Sequence, residues 1–332
     1  MHLSTSSSKT GARRDIALLL LACGLVSALI EGGTALMFGR ISHIENRRET
    51  EYRQALTMHR SKDAQSVLIA GNSLLLEGVN FPLLQREVGS EMDLHRAVVE
   101  GTFYLDWYYG LRRLFAAGAR PDAVVLVLNP IQLTSGAVGG DYTAHFLVDR
   151  KDILQFAKET GADRNRTSSL ALANLSFFYG ARAEIRNWIL GRVLPDLPIL
   201  THNLQSAPKV PTDDVLRDVA MQRLERLRQL CRDHGAELVF VIPPSNEDMG
   251  ATAVSEVAAT HGVQVVIPIA PGVLPVSDYS DRFHLNPNGA SKFTPALASE
   301  LRQVLLTSNG NRTQTAAADS ADASTNTPQI TN

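Results

Sequence analysis

The sequence predicts an α/β fold in which a parallel sheet is covered by helices on both faces. Five short apolar runs, rich in β-branched residues, alternate along the chain with segments of helix length. Unbroken apolar runs are typical of strands buried on both faces, because a half-exposed strand would alternate apolar with polar residues. An apolar segment near the N-terminus and a long interruption after the third run complete the predicted organisation.

The five runs define the predicted strands and, with the helices between them, a domain over residues 64–306. The strands are SVLIA at 66–70, LHRAVVE at 94–100, DAVVLVLN at 122–129, AELVFVI at 236–242 and VQVVIPI at 263–269. The helix before the fourth strand has Asp213 and Asp214 near its start and Gly235 at its end, as helix dipoles and C-terminal caps favour. A last helix is predicted over NPNGASKFTPALASELRQVLL.

Two segments depart from this alternation. Residues 131–211 are too long for a plain connection and contain a glycine-rich stretch, several aromatic residues and a proline-rich exit, so we expect an inserted cap or substrate lobe. Residues 307–332 are rich in Ser, Thr, Asn and Ala and almost free of large apolar side chains, so the tail is predicted to be disordered.

Composition argues against several classes of protein. The formal net charge is −2, so no global basic field attracts nucleic acid. The two cysteines, Cys23 and Cys231, are too few for a disulfide framework or a metal cluster, and no HxxxH or CxxC motif occurs. We therefore expect no metal, no cofactor and no nucleic-acid partner.

The apolar segment from Ile16 to Phe38 is predicted to be an uncleaved transmembrane anchor. As a helix it would rise roughly 35 Å, enough for a hydrocarbon core of about 30 Å. Arg13 and Arg14 precede it, so residues 1–15 should stay in the cytoplasm and the domain should lie on the periplasmic side of the inner membrane. Residues 39–63 then form a helical stalk.

Other interpretations of the N-terminus stay open. They are a cleaved signal peptide, lipidation at Cys23 and a twin-arginine export signal. Glu31 is costly inside a bilayer. It lies near the outer interface, is protonated, or contacts a helix of a membrane partner.

Polar residues follow the predicted strands where an open parallel sheet forms its binding sites. Ser73 follows the first strand, Gly101 the second and Asn129 the third, and Asp281 and His284 precede the last helix. A histidine oriented by a carboxylate three residues away can activate a serine hydroxyl. Candidate donors to a developing oxyanion are the N–H groups of Ser73 and Gly101 and the side-chain amide of Asn129.

Purely structural interpretations of the same residues compete with this one. Ser73 would suit a helix N-cap, Gly101 a plain turn, and Asn129 a turn before a proline. Asp281 and His284 would be ordinary turn residues.

The set of GNS at 71–73, Gly101, Asn129 and DRFH at 281–284 resembles the SGNH/GDSL hydrolase superfamily over roughly residues 64–306. The resemblance implies a three-layer α/β/α sandwich with a five-stranded, mostly parallel, flavodoxin-like sheet. It also implies that Ser73 is the nucleophile, that Asp281 and His284 complete the triad, and that Gly101 and Asn129 are oxyanion donors. Asn72 stands where the family has the aspartate of its GDS motif, and we count it with the oxyanion or substrate-binding residues.

The predicted function is that of a membrane-anchored extracytoplasmic serine enzyme that handles an acyl ester. Anchored members of the superfamily resemble accessory proteins of polysaccharide O-acylation. By that analogy, the acyl group, acetyl or similar, passes from an acylated donor to a cell-surface polysaccharide beside a membrane-bound O-acyltransferase. Ester hydrolysis and a non-catalytic glycan-binding or scaffold role are the alternatives.

Overall fold

The computed structural model describes residues 7–41, 43–61, 63–194, 211–281 and 283–325. In chain order the elements are α1 Ser7–Ile41, α2 His43–Leu56, β1 Gln65–Gly71, α3 Ser73–Gly78, α4 Phe81–Val88, β2 Met92–Val98, α5 Tyr104–Ala116, β3 Ala123–Val127, α6 Pro130–Thr134, α7 Asp141–Leu147, α8 Ile153–Glu159, α9 Arg164–Leu175, α10 Phe177–Val193, α11 Asp213–Asp233, β4 Glu237–Val241, α12 Ala251–Thr260, β5 Gln264–Val266 and α13 Pro287–Thr325. Short 3₁₀ turns lie at Gly89–Glu91, Arg150–Asp152 and Val276–Asp278.

The chain divides into two compact units. The first unit is formed by Met1–Thr50 and Gly139–Ala207, and the second by Glu51–Val138 and Pro208–Asn332. All five strands belong to the second unit.

The second unit is built on a five-stranded sheet with the order β2-β1-β3-β4-β5, in which every neighbouring pair is parallel. Residues 67–70 of the interior strand β1 are completely buried, as are residues 123–127 of the central strand β3. Both strands are therefore covered on both faces, as their unbroken apolar sequences predict.

Helices form the outer layers of this sandwich. Helices α3, α4 and α13 pack together on one face, where Leu84, Phe293 and Leu301 enter the core, and α5, α11 and α12 pack on the other. The predicted α/β fold with a five-stranded parallel sheet and helices on both faces is confirmed. In the register, Gly71 lies beside both Val98 and Val127, so the carboxyl ends of β1, β2 and β3 meet at one rim.

The outer edge of β2 is held by the end of α2. The carboxylate of Glu51 accepts a hydrogen bond from the backbone N–H of Val98 at 2.9 Å and forms an ion pair with Arg96. Ala55 and Met58 are also fully or almost fully buried. Within the predicted stalk, residues from Glu51 onward therefore pack as part of the second unit.

The first unit joins α1 to helices α7 to α10 of the predicted insertion. Phe38 and Phe177 meet edge to face with ring centroids 5.6 Å apart, in a small core that includes Tyr142 and Ala181. The insertion is thus helical where it is described. Its proline-rich exit over residues 195–210 lies outside the described residues.

Within the described residues, one helix is long and apolar enough to cross a membrane, over Gly11–Phe38, and it lies near the N-terminus. Its length and composition agree with the predicted anchor segment. Glu31 contacts the first turn of α10 in the same chain, an arrangement that differs from the contact with a separate membrane partner considered above.

Helix α13 extends to Thr325, into the segment 307–332. The disorder expected for that segment from its composition stays a prediction. Residues 326–332 lie outside the described part of the chain.

Candidate active site

Ser73 is the first residue of α3, directly after the carboxyl end of β1. Asn72, not Ser73, is the N-cap, because its side chain accepts the hydrogen bond from the N–H of Leu74 at 3.0 Å. Gly71 lets β1 approach β3 closely, since a Cβ at this position would lie 2.8 Å from the carbonyl oxygen of Val127. The Ser73 hydroxyl is thus released from capping and presented at the rim of the sheet.

Ser73, His284 and Asp281 form a continuous chain of hydrogen bonds. The Oγ of Ser73 lies 2.9 Å from Nε2 of His284, and Nδ1 of the same ring lies 2.8 Å from Oδ2 of Asp281. The serine comes from the β1–α3 junction and the other two residues from the loop before α13, 211 positions later. The structure therefore brings together the three residues predicted to act as nucleophile, base and orienting acid.

The second carboxylate oxygen of Asp281 fixes the turn that carries His284. Oδ1 accepts hydrogen bonds from the backbone N–H groups of Phe283 at 2.7 Å and His284 at 2.8 Å. Partial burial raises the pKa of Asp281, but hydrogen bonds from the His284 ring and these two backbone groups outweigh it and lower the pKa below its ordinary value. Asp281 is therefore held as a carboxylate, the state that can orient an imidazole and stabilise its protonated form.

The loop that carries the histidine is anchored through Asp278, a residue that sequence reasoning missed. Its carboxylate is completely buried and binds Nζ of Lys292 at 2.6 Å and Nδ2 of Asn288 at 2.6 Å. Its backbone carbonyl accepts from the N–H of Asn286 at 2.9 Å. These contacts hold both ends of the loop against the start of α13. No sequence signal distinguishes Asp278 from other acidic residues in loops.

Asn72 is held by hydrogen bonds within the protein, and its contact with an oxyanion or substrate stays a prediction. It is completely buried, and its Nδ2 donates to the carbonyl oxygen of Thr102 at 2.9 Å. Thr102 in turn accepts from the indole Nε1 of Trp107 at 2.9 Å and donates to the carbonyl of Val99 at 2.7 Å. An aspartate could not donate to a carbonyl oxygen, which explains why an amide suits this position here.

The predicted oxyanion donors Gly101 and Asn129 follow β2 and β3, the strands on either side of β1, and the third donor, Ser73, starts α3. Gly101 has φ +69°, a left-handed conformation that favours glycine, so it does serve a turn. Asn72 links that turn to the β1–α3 junction through Thr102. Among the described residues, the N–H groups of Ser73 and Gly101 have no hydrogen-bond acceptor. Both are therefore available to a ligand.

Asn129 combines a structural role with a free donor. Its Oδ1 accepts from the N–H of Gln132 at 2.8 Å, and the Gln132 side chain accepts from the N–H of Asn129 at 3.0 Å, which completes a capping box at the start of α6. This contact fixes which side of the amide is oxygen. The Nδ2 group has no hydrogen-bond partner in the described part of the chain, so it can donate to a substrate oxygen.

The side chain of His145 is engaged by contacts within the first unit. His145 of the first unit lies with Nδ1 2.8 Å from the carbonyl oxygen of Ala173 and packs against the ring of Phe177. No group of three or more metal-ligating side chains occurs among the described residues.

The arrangement suits nucleophilic attack on an acyl group. The side chains of His284 and Asp281 are each 24% exposed, so the site is open to small molecules while its members stay fixed. The imidazole can remove the serine proton, and the free N–H groups and the Asn129 amide follow strands that end at the same rim of the sheet as Ser73.

Comparisons with known proteins find likeness only among solved structures. No protein-family model matches the chain, and no curated protein is significantly similar to it in sequence. The chain is similar to TesA, with 14% identity and a TM-score of 0.38 over 72% of this chain and 99% of that one.

Two carbohydrate esterases also match, and the chain spans about two thirds of the length of each. The acetyl xylan esterase Est2A from Butyrivibrio proteoclasticus is 9% identical with a TM-score of 0.36, over 75% of this chain and 66% of that one. An active-site mutant of a family two carbohydrate esterase from Clostridium thermocellum is 10% identical with a TM-score of 0.38, over 74% and 65%. The likeness is weak at these values, and the function proposed below rests on side-chain geometry.

Proposed function

We propose that the chain is a serine acyl-ester enzyme in which Ser73 is the nucleophile, His284 the general base and Asp281 the residue that orients the base. The observation that carries the proposal is the pair of contacts at the imidazole, 2.9 Å to the serine oxygen and 2.8 Å to the carboxylate. Ser73 is only partly buried, so its hydroxyl faces the histidine and can also be reached from solvent.

The reaction has two acyl-transfer steps. Nε2 of His284 takes the hydroxyl proton as the Oγ of Ser73 bonds to the carbonyl carbon of the ester. The carbonyl oxygen becomes an oxyanion, which the N–H groups of Ser73 and Gly101 and the amide of Asn129 stabilise. The intermediate then expels the alcohol, which leaves with the proton from His284, and the acyl group stays on Ser73.

In the second step a hydroxyl takes the acyl group. His284 removes the proton of the incoming hydroxyl, whose oxygen attacks the acyl carbon, and Ser73 leaves and recovers a proton. We propose that this hydroxyl belongs to a cell-surface glycan and that the acyl group is acetyl or similarly small.

Anchoring supports transfer over hydrolysis. We propose that α1 crosses the inner membrane once and holds the second unit on the periplasmic side. The apolar span Gly11–Phe38 supports this topology, since a secreted esterase has no need of a span. A membrane-bound O-acyltransferase that supplies the acylated donor would be the matching partner, by resemblance to anchored members of the superfamily.

Hydrolysis of an acyl ester is the second candidate function. The partial exposure of the His284 and Asp281 side chains favours it, because water can reach the acyl group as easily as a sugar hydroxyl can. A glycan-binding or scaffold protein without catalysis is the third, and the completed hydrogen-bond chain argues against it.

The first test is covalent labelling of the full-length protein, purified in detergent, with a fluorophosphonate. We expect stoichiometric labelling that Ser73→Ala abolishes. The matched control is Ser291→Ala, since Ser291 is an exposed serine on α13. Wild-type protein that stays unlabelled while correctly folded would contradict an activated serine.

The second test separates transfer from hydrolysis. The same protein is given an aryl acetate, and release of the aryl alcohol is followed with and without an oligosaccharide acceptor. Transfer predicts faster release and an acetylated sugar by mass spectrometry. Unchanged release with free acetate as the sole product would leave hydrolysis as the function.

A further inference from the structure

Glu31, inside the apolar span, is bound to the insertion. One carboxylate oxygen accepts a hydrogen bond from the hydroxyl of Ser176, and the other accepts from the backbone N–H of Phe178 at 3.2 Å. Ser176 is the N-cap of α10, so the carboxylate lies at the positive end of a 17-residue helix. Both contacts offset the cost of placing an acidic group in an apolar span.

This contact fixes the depth of the insertion relative to the span. Glu31 precedes Phe38, the outer end of the apolar span, by seven helical residues, which corresponds to about 10 Å along the axis. The outer half of a hydrocarbon core is about 15 Å thick. If α1 crosses the bilayer as proposed above, the turn at Ser176 therefore lies within the outer leaflet.

The side chains around that turn suit this environment. Leu172 and Leu175 at the end of α9 are 49% and 61% exposed, and Phe178 at the start of α10 is 42% exposed. We call residues 172–178 the α9–α10 corner. No charged residue occurs from Thr167 to Ala181, so the corner is apolar at its surface and free of charge around it.

Charges reappear immediately beyond the corner, on both helices. Arg166 of α9 and Arg182 of α10 both bind the carboxylate of Asp141, at 2.9 Å and 2.5 Å. The two arginine side chains remain 41% and 36% exposed. Basic side chains next to an apolar surface are the arrangement that interfacial segments use to meet lipid headgroups.

We propose that the α9–α10 corner inserts into the outer leaflet of the membrane beside α1, so that lipid acyl chains cover Leu172, Leu175 and Phe178. The inference rests on the anchoring proposed above and adds a second membrane contact to it. Lipid is favoured over a protein partner because the corner continues the apolar surface of the span at the same depth.

The test measures the depth of a fluorophore on the full chain in vesicles. Cys23→Ser removes the exposed thiol, and burial raises the pKa of the Cys231 thiol to about 12, which keeps it unreactive in the folded protein. Single cysteines are then introduced by Leu175→Cys at the corner, Leu29→Cys in the span and Lys158→Cys on the exposed side of α8. Each is labelled with an environment-sensitive dye and reconstituted in phosphatidylcholine brominated on its acyl chains.

We expect blue-shifted emission and quenching by bromine for the Leu175 and Leu29 positions, and neither effect for Lys158. Phe178→Cys repeats the measurement if the first corner variant is poorly folded. Quenching at Leu29 without quenching at either corner position would overturn the corner insertion and leave the anchor standing.

Two further outcomes also contradict the proposal. Absence of quenching at Leu29 would remove the anchor, and the corner insertion with it. A corner label that is exposed in lipid vesicles but crosslinks to another protein in native membranes would show that a protein partner covers the surface.

Discussion

Replacing Asn72 with aspartate would place a carboxylate where the structure buries an amide between two loops. The change is nearly isosteric and produces the GDS motif of the superfamily that the sequence resembles. One carboxylate oxygen would still accept from the N–H of Leu74, but the other would face the carbonyl oxygen of Thr102, to which the amide now donates at 2.9 Å. We expect Asn72→Asp to be destabilising at neutral pH.

The loss of folding free energy can be estimated from the two states that the introduced carboxyl group can adopt. If it stays charged, a buried acceptor without a donor costs about 1–3 kcal/mol, and more for an ion. If it takes a proton to donate to Thr102, holding a group of ordinary pKa near 3.9 neutral at pH 7 costs about 4 kcal/mol. A loss of about 2–4 kcal/mol corresponds to a fall in Tm of roughly 5–15 °C.

The assay is thermal unfolding of the full-length protein from pH 4 to pH 8, followed by tryptophan fluorescence. The variant raises the folded-state pKa of the introduced carboxyl, so its penalty is complete at high pH and fades as pH falls towards the unfolded-state value. The control is Asn80→Asp at an exposed N-cap, where the side chain only accepts from Leu83 and aspartate caps equally well. The reasoning would be refuted if both variants lost equal thermal stability, or if the stability loss of Asn72→Asp did not shrink at acidic pH.

Three more predictions follow from the site. Asn129→Asp keeps the cap of α6 but removes the Nδ2 donor, so kcat should fall about 10²-fold with little change in Tm, as steady-state hydrolysis of an aryl acetate would reveal. Gly71→Ala introduces the 2.8 Å contact with a strand carbonyl and should lower the free energy of unfolding by about 1–3 kcal/mol in a denaturant titration. The pKa of Asp281 is lowered in the folded chain, so the ionised side chain stabilises the fold above the ordinary carboxyl pKa. This stabilisation is lost as the pH falls through the folded-state pKa. The stability deficit of Asp281→Asn should therefore be present at pH 7 and shrink below about pH 4 in the same titration.

The features that the sequence predicts are those with a local signature. Apolar runs predict the five strands, although His95 and Arg96 interrupt the run of the edge strand β2. The spacing of three between Asp281 and His284 predicts a contact that one turn can make. The topology of a parallel sheet then brings Ser73 to the same rim. The capping box of Asn129 is also readable, because NPIQ contains the asparagine, the proline and the glutamine at the required spacing.

The features that the sequence does not predict depend on partners far away in the chain. Asn72 meets Thr102 across 30 positions, and Glu31 meets Ser176 across 145. Neither partner carries a pattern that distinguishes it from other polar residues. The roles of such residues emerge when folding has brought the loops together.

Trimming the chain to the domain start predicted at residue 64 would remove Glu51 and open the outer edge of β2. Unpaired N–H groups on an edge strand recruit strands from other molecules. The buried side chains of Ala55 and Met58 would go as well and leave an apolar gap. Fragments cut inside 51–63 should therefore aggregate through their sheets on expression, whereas fragments that begin at His43 keep this edge of β2 covered.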